Sequence, residues 1–170
     1  MTLHPLGVVA RYIVLGAGLG VMVGLLWVWL APRVLLNSSD ATDFVDAYPQ
    51  GFAQADLTLG ALLLGAGCVI GFAGARRLRR THFNGGWVHV VGVVSAAAMC
   101  AAVARVVGWW LAGRAPSELP GGRYELPLAV GASGVFLLAG FSALLVVVFY
   151  AAFAREAVTP AVVQSEPASQ

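Results

Sequence analysis

Residues 57–80 read LTLGALLLGAGCVIGFAGARRLRR. From Leu57 to Ala75 no residue is charged, and then Arg76, Arg77, Arg79 and Arg80 follow almost without a break. A hydrocarbon core about 30 Å thick takes about 20 helical residues to cross. Only a segment that satisfies its own backbone hydrogen bonds can cross alone, because lipid offers them no partner. The stretch therefore reads as a membrane-spanning helix that ends in a cationic patch. Such patches stay on the cytoplasmic side, so one stretch bears on both the class of fold and its orientation.

Working outward, three further apolar stretches have the necessary length, at about 12–30, 87–111 and 126–153. With the stretch at about 57–75 they predict an all-α membrane protein, a four-transmembrane-helix bundle over residues 1–154. Residues 155–170, with Pro160, Pro167 and small polar residues, are expected to form a disordered cytoplasmic tail. The first stretch ends in Trp27-Val28-Trp29-Leu30-Ala31-Pro32-Arg33 rather than in a small-residue cleavage site, so it is expected to be retained as a helix. Arg11 precedes the first span and Arg155 follows the fourth, while the other two loops mix Arg33, Arg114 and Arg123 with six acids. That bias predicts both termini in the cytoplasm. Trp27, Trp29, Trp87, Trp109 and Trp110 fall at the span ends, where an apolar ring with a polar N–H is favoured.

Composition supports this class. Hydrophobic residues make up 59% of the 170 and charged residues 11%, where a soluble domain carries about 25% charged. All ten basic residues are arginine, which is what a GC-rich bacterial genome tends to encode; a bacterial cytoplasmic membrane is the expected location. The net charge of +2 lies at membrane boundaries and gives nucleic-acid binding no support. Cys68 and Cys100 fall inside apolar spans and read as small hydrophobes. His82 and His89 share a face, with no further ligands nearby for a metal or haem, so no cofactor is expected.

The two hairpins read as a duplication. Trp29-Leu30-Ala31-Pro32-Arg33 matches Trp110-Leu111-Ala112-Gly113-Arg114, and Asp56-Leu57-Thr58-Leu59 matches Glu125-Leu126-Pro127-Leu128, which places Gly65 on Gly134 and Gly71 on Gly140. Gly16, Gly20 and Gly24 recur every four residues, as do Gly67 and Gly71. Small residues at that spacing let helix backbones approach closely. They predict packing within the bundle, with a second copy or another membrane protein as the alternative occupant of those faces.

Three ionisable residues form the candidate polar cluster. Arg105 is the charge within the third span, about 27 Å beyond Trp87 at 1.5 Å per residue. From there it can snorkel to the outer interface or pair with Asp56 or Glu125. Asp56 and Glu125 are expected to open the two returning helices, where an acid caps free amides. No acid is expected near mid-membrane, which weighs against a coupled carrier. Arg76, Arg77, Arg79 and Arg80 set topology and can contact anionic lipid. The hydroxyls of Thr58, Ser95, Ser133 and Ser142 sit in spans, where they can bond to the preceding turn. No nucleophile–base pair, phosphate loop or metal-ligand cluster is legible, so catalytic residues are not expected.

The first-span exit Leu26-Trp27-Val28-Trp29-Leu30-Ala31-Pro32-Arg33, the acidic outer loop, the acid before the second span and the arginine cluster resemble a family of small actinobacterial four-span membrane proteins classed as a domain of unknown function. The resemblance implies a four-span fold and no known activity. Together these features predict a non-enzymatic subunit or accessory of a membrane or envelope assembly. The alternative is a small transporter or channel with an outer vestibule at Arg105, Asp56 and Glu125.

Overall fold

The computed structural model describes residues 5–33, 35–37, 44–80, 86–112, 117–119, 123–125 and 130–156, with side chains for 6–33, 53–79, 86–112 and 130–153. Four helices dominate: α1 (Pro5–Leu30), α2 (Phe44–Arg80), α3 (Gly86–Leu111) and α4 (Leu137–Glu156). Each contains a stretch long and apolar enough to cross a membrane. The last amide bond of α1 runs from Ala31 N to Trp27 O, and Pro32, which has no N–H to continue the ladder, follows.

Three helix starts differ from the sequence expectation. The helix α1 begins at Pro5 rather than at about 12. The helix α2 starts at Phe44, well before Leu57, and takes Pro49 into its second turn. The acidic composition of residues 43–56 hid this, although acids near a helix N-terminus suit its positive dipole end. The fourth helical segment starts later than 126: Arg123–Glu125 form a strand, and a short 3-10 turn (Ser133–Phe136) leads into α4. Of the tail expected at 155–170, Arg155 and Glu156 are the last residues of α4, and 157–170 lie outside the described residues.

The loops at one end of the bundle form a sheet that hydropathy did not reveal. Strands β1 (Leu35–Asn37), β2 (Ser117–Leu119) and β3 (Arg123–Glu125) lie in the order β1-β3-β2, antiparallel throughout. Leu36 pairs with Tyr124, and Tyr124 with Glu118. The sheet thus ties the loop after α1 to the loop after α3.

Packing within the bundle follows small residues. The helices α1 and α3 run side by side in the same direction, as do α2 and α4. Along α1, Tyr12, Gly16, Gly20, Gly24 and Trp27 meet Gly92, Ala96, Cys100, Ala104 and Gly108 of α3 in turn. A Cβ added at Gly20 would lie 2.6 Å from the Cys100 carbonyl oxygen, and one at Gly24 2.9 Å from Val107 Cβ. On α2, Gly67 meets Ala139 and Ser142 of α4, and a Cβ at Gly71 would stand 2.5 Å from the Ala143 carbonyl oxygen. Without hydrophobic drive between helices in lipid, such close approach supplies the dispersion contacts that hold them. These glycine faces are occupied inside the chain, so the alternative of a partner seated through the same glycines meets a filled surface.

The duplication is expressed in part: α1 packs on α2 as α3 packs on α4. A two-fold relating the hairpins would make the α2–α3 and α1–α4 interfaces equivalent, yet α2 packs on α3 while α1 and α4 are not packed together among the described residues. Gly71 is in contact with α4, whereas an added Cβ on its matched Gly140 meets nothing within 4 Å; the matched Gly65 and Gly134 are alike in meeting nothing.

Gly16→Leu is expected to cost about 2 kcal/mol, since the added side chain meets the Ala96 backbone, which cannot yield as a side chain would. Gly18→Leu, where an added Cβ meets nothing within 4 Å, is expected to change stability by less than about 0.5 kcal/mol. Thermal melts of both variants in one detergent check the contrast, and equal shifts would contradict the packing.

Candidate functional site

Polar contacts gather at the two ends of the bundle. At the end that carries the sheet, Asp56 lies inside α2 rather than at its start, 7% exposed. Its carboxylate oxygens accept from Gly131 N at 3.1 and 3.2 Å and from Ala132 N at 2.7 Å. Ala132 is the N-cap of the 3-10 turn and has no side chain that could cap it. The acid of α2 thus caps the helical segment leading into α4, where free amides and the helix dipole favour a negative charge. The expectation that Asp56 caps its own helix is corrected: α2 begins too early for that. Glu125 likewise does not open a helix; its backbone lies in β3, and its side chain is outside the described ones.

Beside Asp56, the Trp27 indole is 1% exposed and donates its Nε1–H to the Ala55 carbonyl at 2.9 Å. Its ring lies where a Cβ on Gly108 would be. Trp27 was expected to be an interface anchor; the structure makes it a core residue, while Trp29, 83% exposed, keeps the boundary position. Both face choices follow from the glycine row, because Trp27 lies on the face of Gly16, Gly20 and Gly24 and Trp29 does not. The row of Gly92, Ala96, Cys100, Ala104 and Gly108 at intervals of four was an equally legible signal for the matching face of α3.

Arg105 does not pair with Asp56. It is exposed, with its Cζ 5.6 Å from the Phe136 ring centroid. A cation over a ring at an exposed site is worth about 0.5–1 kcal/mol. Arg105→Ala is therefore expected to cost less than about 1 kcal/mol in a thermal melt; a loss of several would indicate an ion pair beyond the described residues.

At the opposite, arginine-bearing end, Tyr12 is buried, with its ring where a Cβ on Gly92 would be and its hydroxyl 3.2 Å from His89 Nδ1. Arg77 lies over the same ring, Cζ 5.2 Å from the centroid. Tyr12 was not singled out from the sequence, although it too lies on the glycine face. Tyr12→Phe keeps the ring and loses the hydroxyl, so a cost of about 0.6 kcal/mol is expected, the average for a hydrogen bond between membrane helices. Of the other arginines at this end, Arg76 lies over Phe72 and Arg79 reaches Tyr150; the Arg80 side chain is outside the described ones.

Chemically, both ends are helix-to-helix ties. Thr58 and Ser142 donate to Gln54 O and Ala139 O of their own helices at 2.8 and 3.2 Å. Among the described residues no buried side-chain polar atom lacks a hydrogen-bond partner, and no group of His, Cys, Asp and Glu could hold a metal. Comparison of the chain with protein-family models, curated proteins and solved structures finds no match.

Proposed function

We propose that this chain is a non-enzymatic, multi-pass protein of the bacterial cytoplasmic membrane that works by contact, as a subunit or accessory of a membrane or envelope assembly. The observation carrying this reading is the engagement of Asp56. A carrier or channel using a vestibule at Arg105, Asp56 and Glu125 needs that carboxylate available to a solute or proton. Here its oxygens accept from the amides of Gly131 and Ala132, and Arg105 lies elsewhere, over Phe136. The buried polar contacts of Asp56, Trp27 and Tyr12 join one helical segment to another, which favours action through the surfaces of the bundle. The resemblance to actinobacterial four-span proteins of unknown function is part of the same reading.

Extraction of the protein from its own membrane in a native lipid patch, followed by mass spectrometry, tests this. A stoichiometric protein partner is the expected result. Solute flux through liposomes containing the purified protein alone would replace the proposal with the carrier reading. The arginine bias adds an orientation: both termini are cytoplasmic. A reporter that folds only outside the cytoplasm, fused after residue 170, should stay silent, and activity there would invert the topology.

A further inference from the structure

The arginines closing α2 separate into two groups. Arg77 lies over Tyr12 and belongs to the tie at this end. Arg76 and Arg79, one turn apart, are exposed as Arg77 is, but make their contacts with Phe72 and Tyr150. Arg76 folds back along its own helix until its Cζ stands 4.3 Å from the centroid of Phe72, a ring itself exposed. Phe72 is one turn nearer the middle of the span, so this guanidinium lies on the membrane side of its own Cα, the reverse of snorkelling. A ring contact uses none of the guanidinium N–H groups as donors to oxygen, and these bind paired oxygens of a phosphate.

Arg79 reaches across to α4, with Nη1 3.4 Å from the Tyr150 hydroxyl oxygen. That oxygen accepts, so the Tyr150 O–H proton stays available for an anion. Among the described residues neither Arg76 nor Arg79 has a carboxylate partner.

From these contacts we infer that Arg76, Arg79 and Tyr150 bind the phosphate of an anionic phospholipid at the seam of α2 and α4. Its acyl chains lie along the exposed apolar side of α2 that carries Phe72 and Val69. Lipid is the fitting source of the phosphate, because the cationic groups stand at the end of a span with exposed apolar side chains directly below. The lipid is anionic because two guanidinium groups face it, and a zwitterionic headgroup would bring a third cation to the same place.

Native mass spectrometry of the full chain in mild detergent, offered equal phosphatidylglycerol and phosphatidylcholine of one acyl composition, reads the site. Wild type should retain phosphatidylglycerol preferentially. Arg76→Gln with Arg79→Gln should lower that preference roughly thirtyfold, and Tyr150→Phe roughly threefold. Arg105→Gln, at the opposite end, should leave it unchanged. The inference is overturned by a double variant that retains phosphatidylglycerol as wild type does, or by an equal loss in Arg105→Gln, which would mark a diffuse charge effect. It is also overturned if equimolar inorganic phosphate strips the lipid from wild type, which would make this a soluble-anion site. A helical melt accompanies each variant. Should the double variant not fold, Arg76→Gln alone is expected to lose roughly fivefold, and an unchanged preference there and in Tyr150→Phe rejects the site.

Discussion

Asp56→Ala should destabilise the bundle by about 2–4 kcal/mol, more than any other polar truncation within the spans. Hydrogen bonds to a charged group contribute about 1.5–3 kcal/mol, and loss of a helix cap costs about 0.5–2. The alanine variant leaves the amides of Gly131 and Ala132 without their acceptor at the edge of a low-dielectric layer. Asp56→Asn keeps one acceptor oxygen and loses the charge, so about half the cost is expected. The damage should be local at first: amide exchange ought to rise over Ser133–Phe136 and the first turn of α4 before the α1–α3 pair is affected. A thermal midpoint unchanged in Asp56→Ala would mean that the cap carries no weight.

Trp27→Ala is expected to cost about 3 kcal/mol. Truncating a core tryptophan costs about 3–5 kcal/mol in water-soluble proteins. The lower end applies here, because lipid rather than water surrounds the unpacked helices and only packing and one hydrogen bond are lost. Gly108→Val should be comparably harmful, since its Cβ would enter the indole. The two changes are mutually compensating in volume, so the double variant Trp27→Ala with Gly108→Val should be more stable than the sum of the single effects by about 1 kcal/mol or more. Strict additivity in that cycle would show that the two side chains do not meet.

The parts of this fold legible in the sequence are those fixed by local chemistry. Apolar runs the length of a bilayer locate four spans, since hydropathy and length act on each segment alone. The ties between helices are non-local, and residue type leaves them open. Asp56 reads as a helix-start acid, yet its partners lie far along the chain at Gly131 and Ala132. Trp27 and Trp29 are the same residue near the same boundary; one is buried and one exposed because of which face α3 covers. That choice was recoverable from the four-residue rows of α1 and α3 read together. The sheet was not recoverable, because three-residue strands leave too short a pattern to distinguish from loop.

The pairing of α1 with α3 and α2 with α4, closed by a sheet that draws on the loops after α1 and α3, has a consequence for how the protein is made. When the first two helices leave the ribosome, the surfaces meant for α3 and α4 do not yet have partners. The strand β1 waits for β3, which is synthesised only after the third span. A chain halted after the second span is therefore an unfinished hairpin with its glycine rows bare. Membrane quality-control proteases should clear it quickly, and the full chain should gain resistance in one late step, once the fourth span is in place.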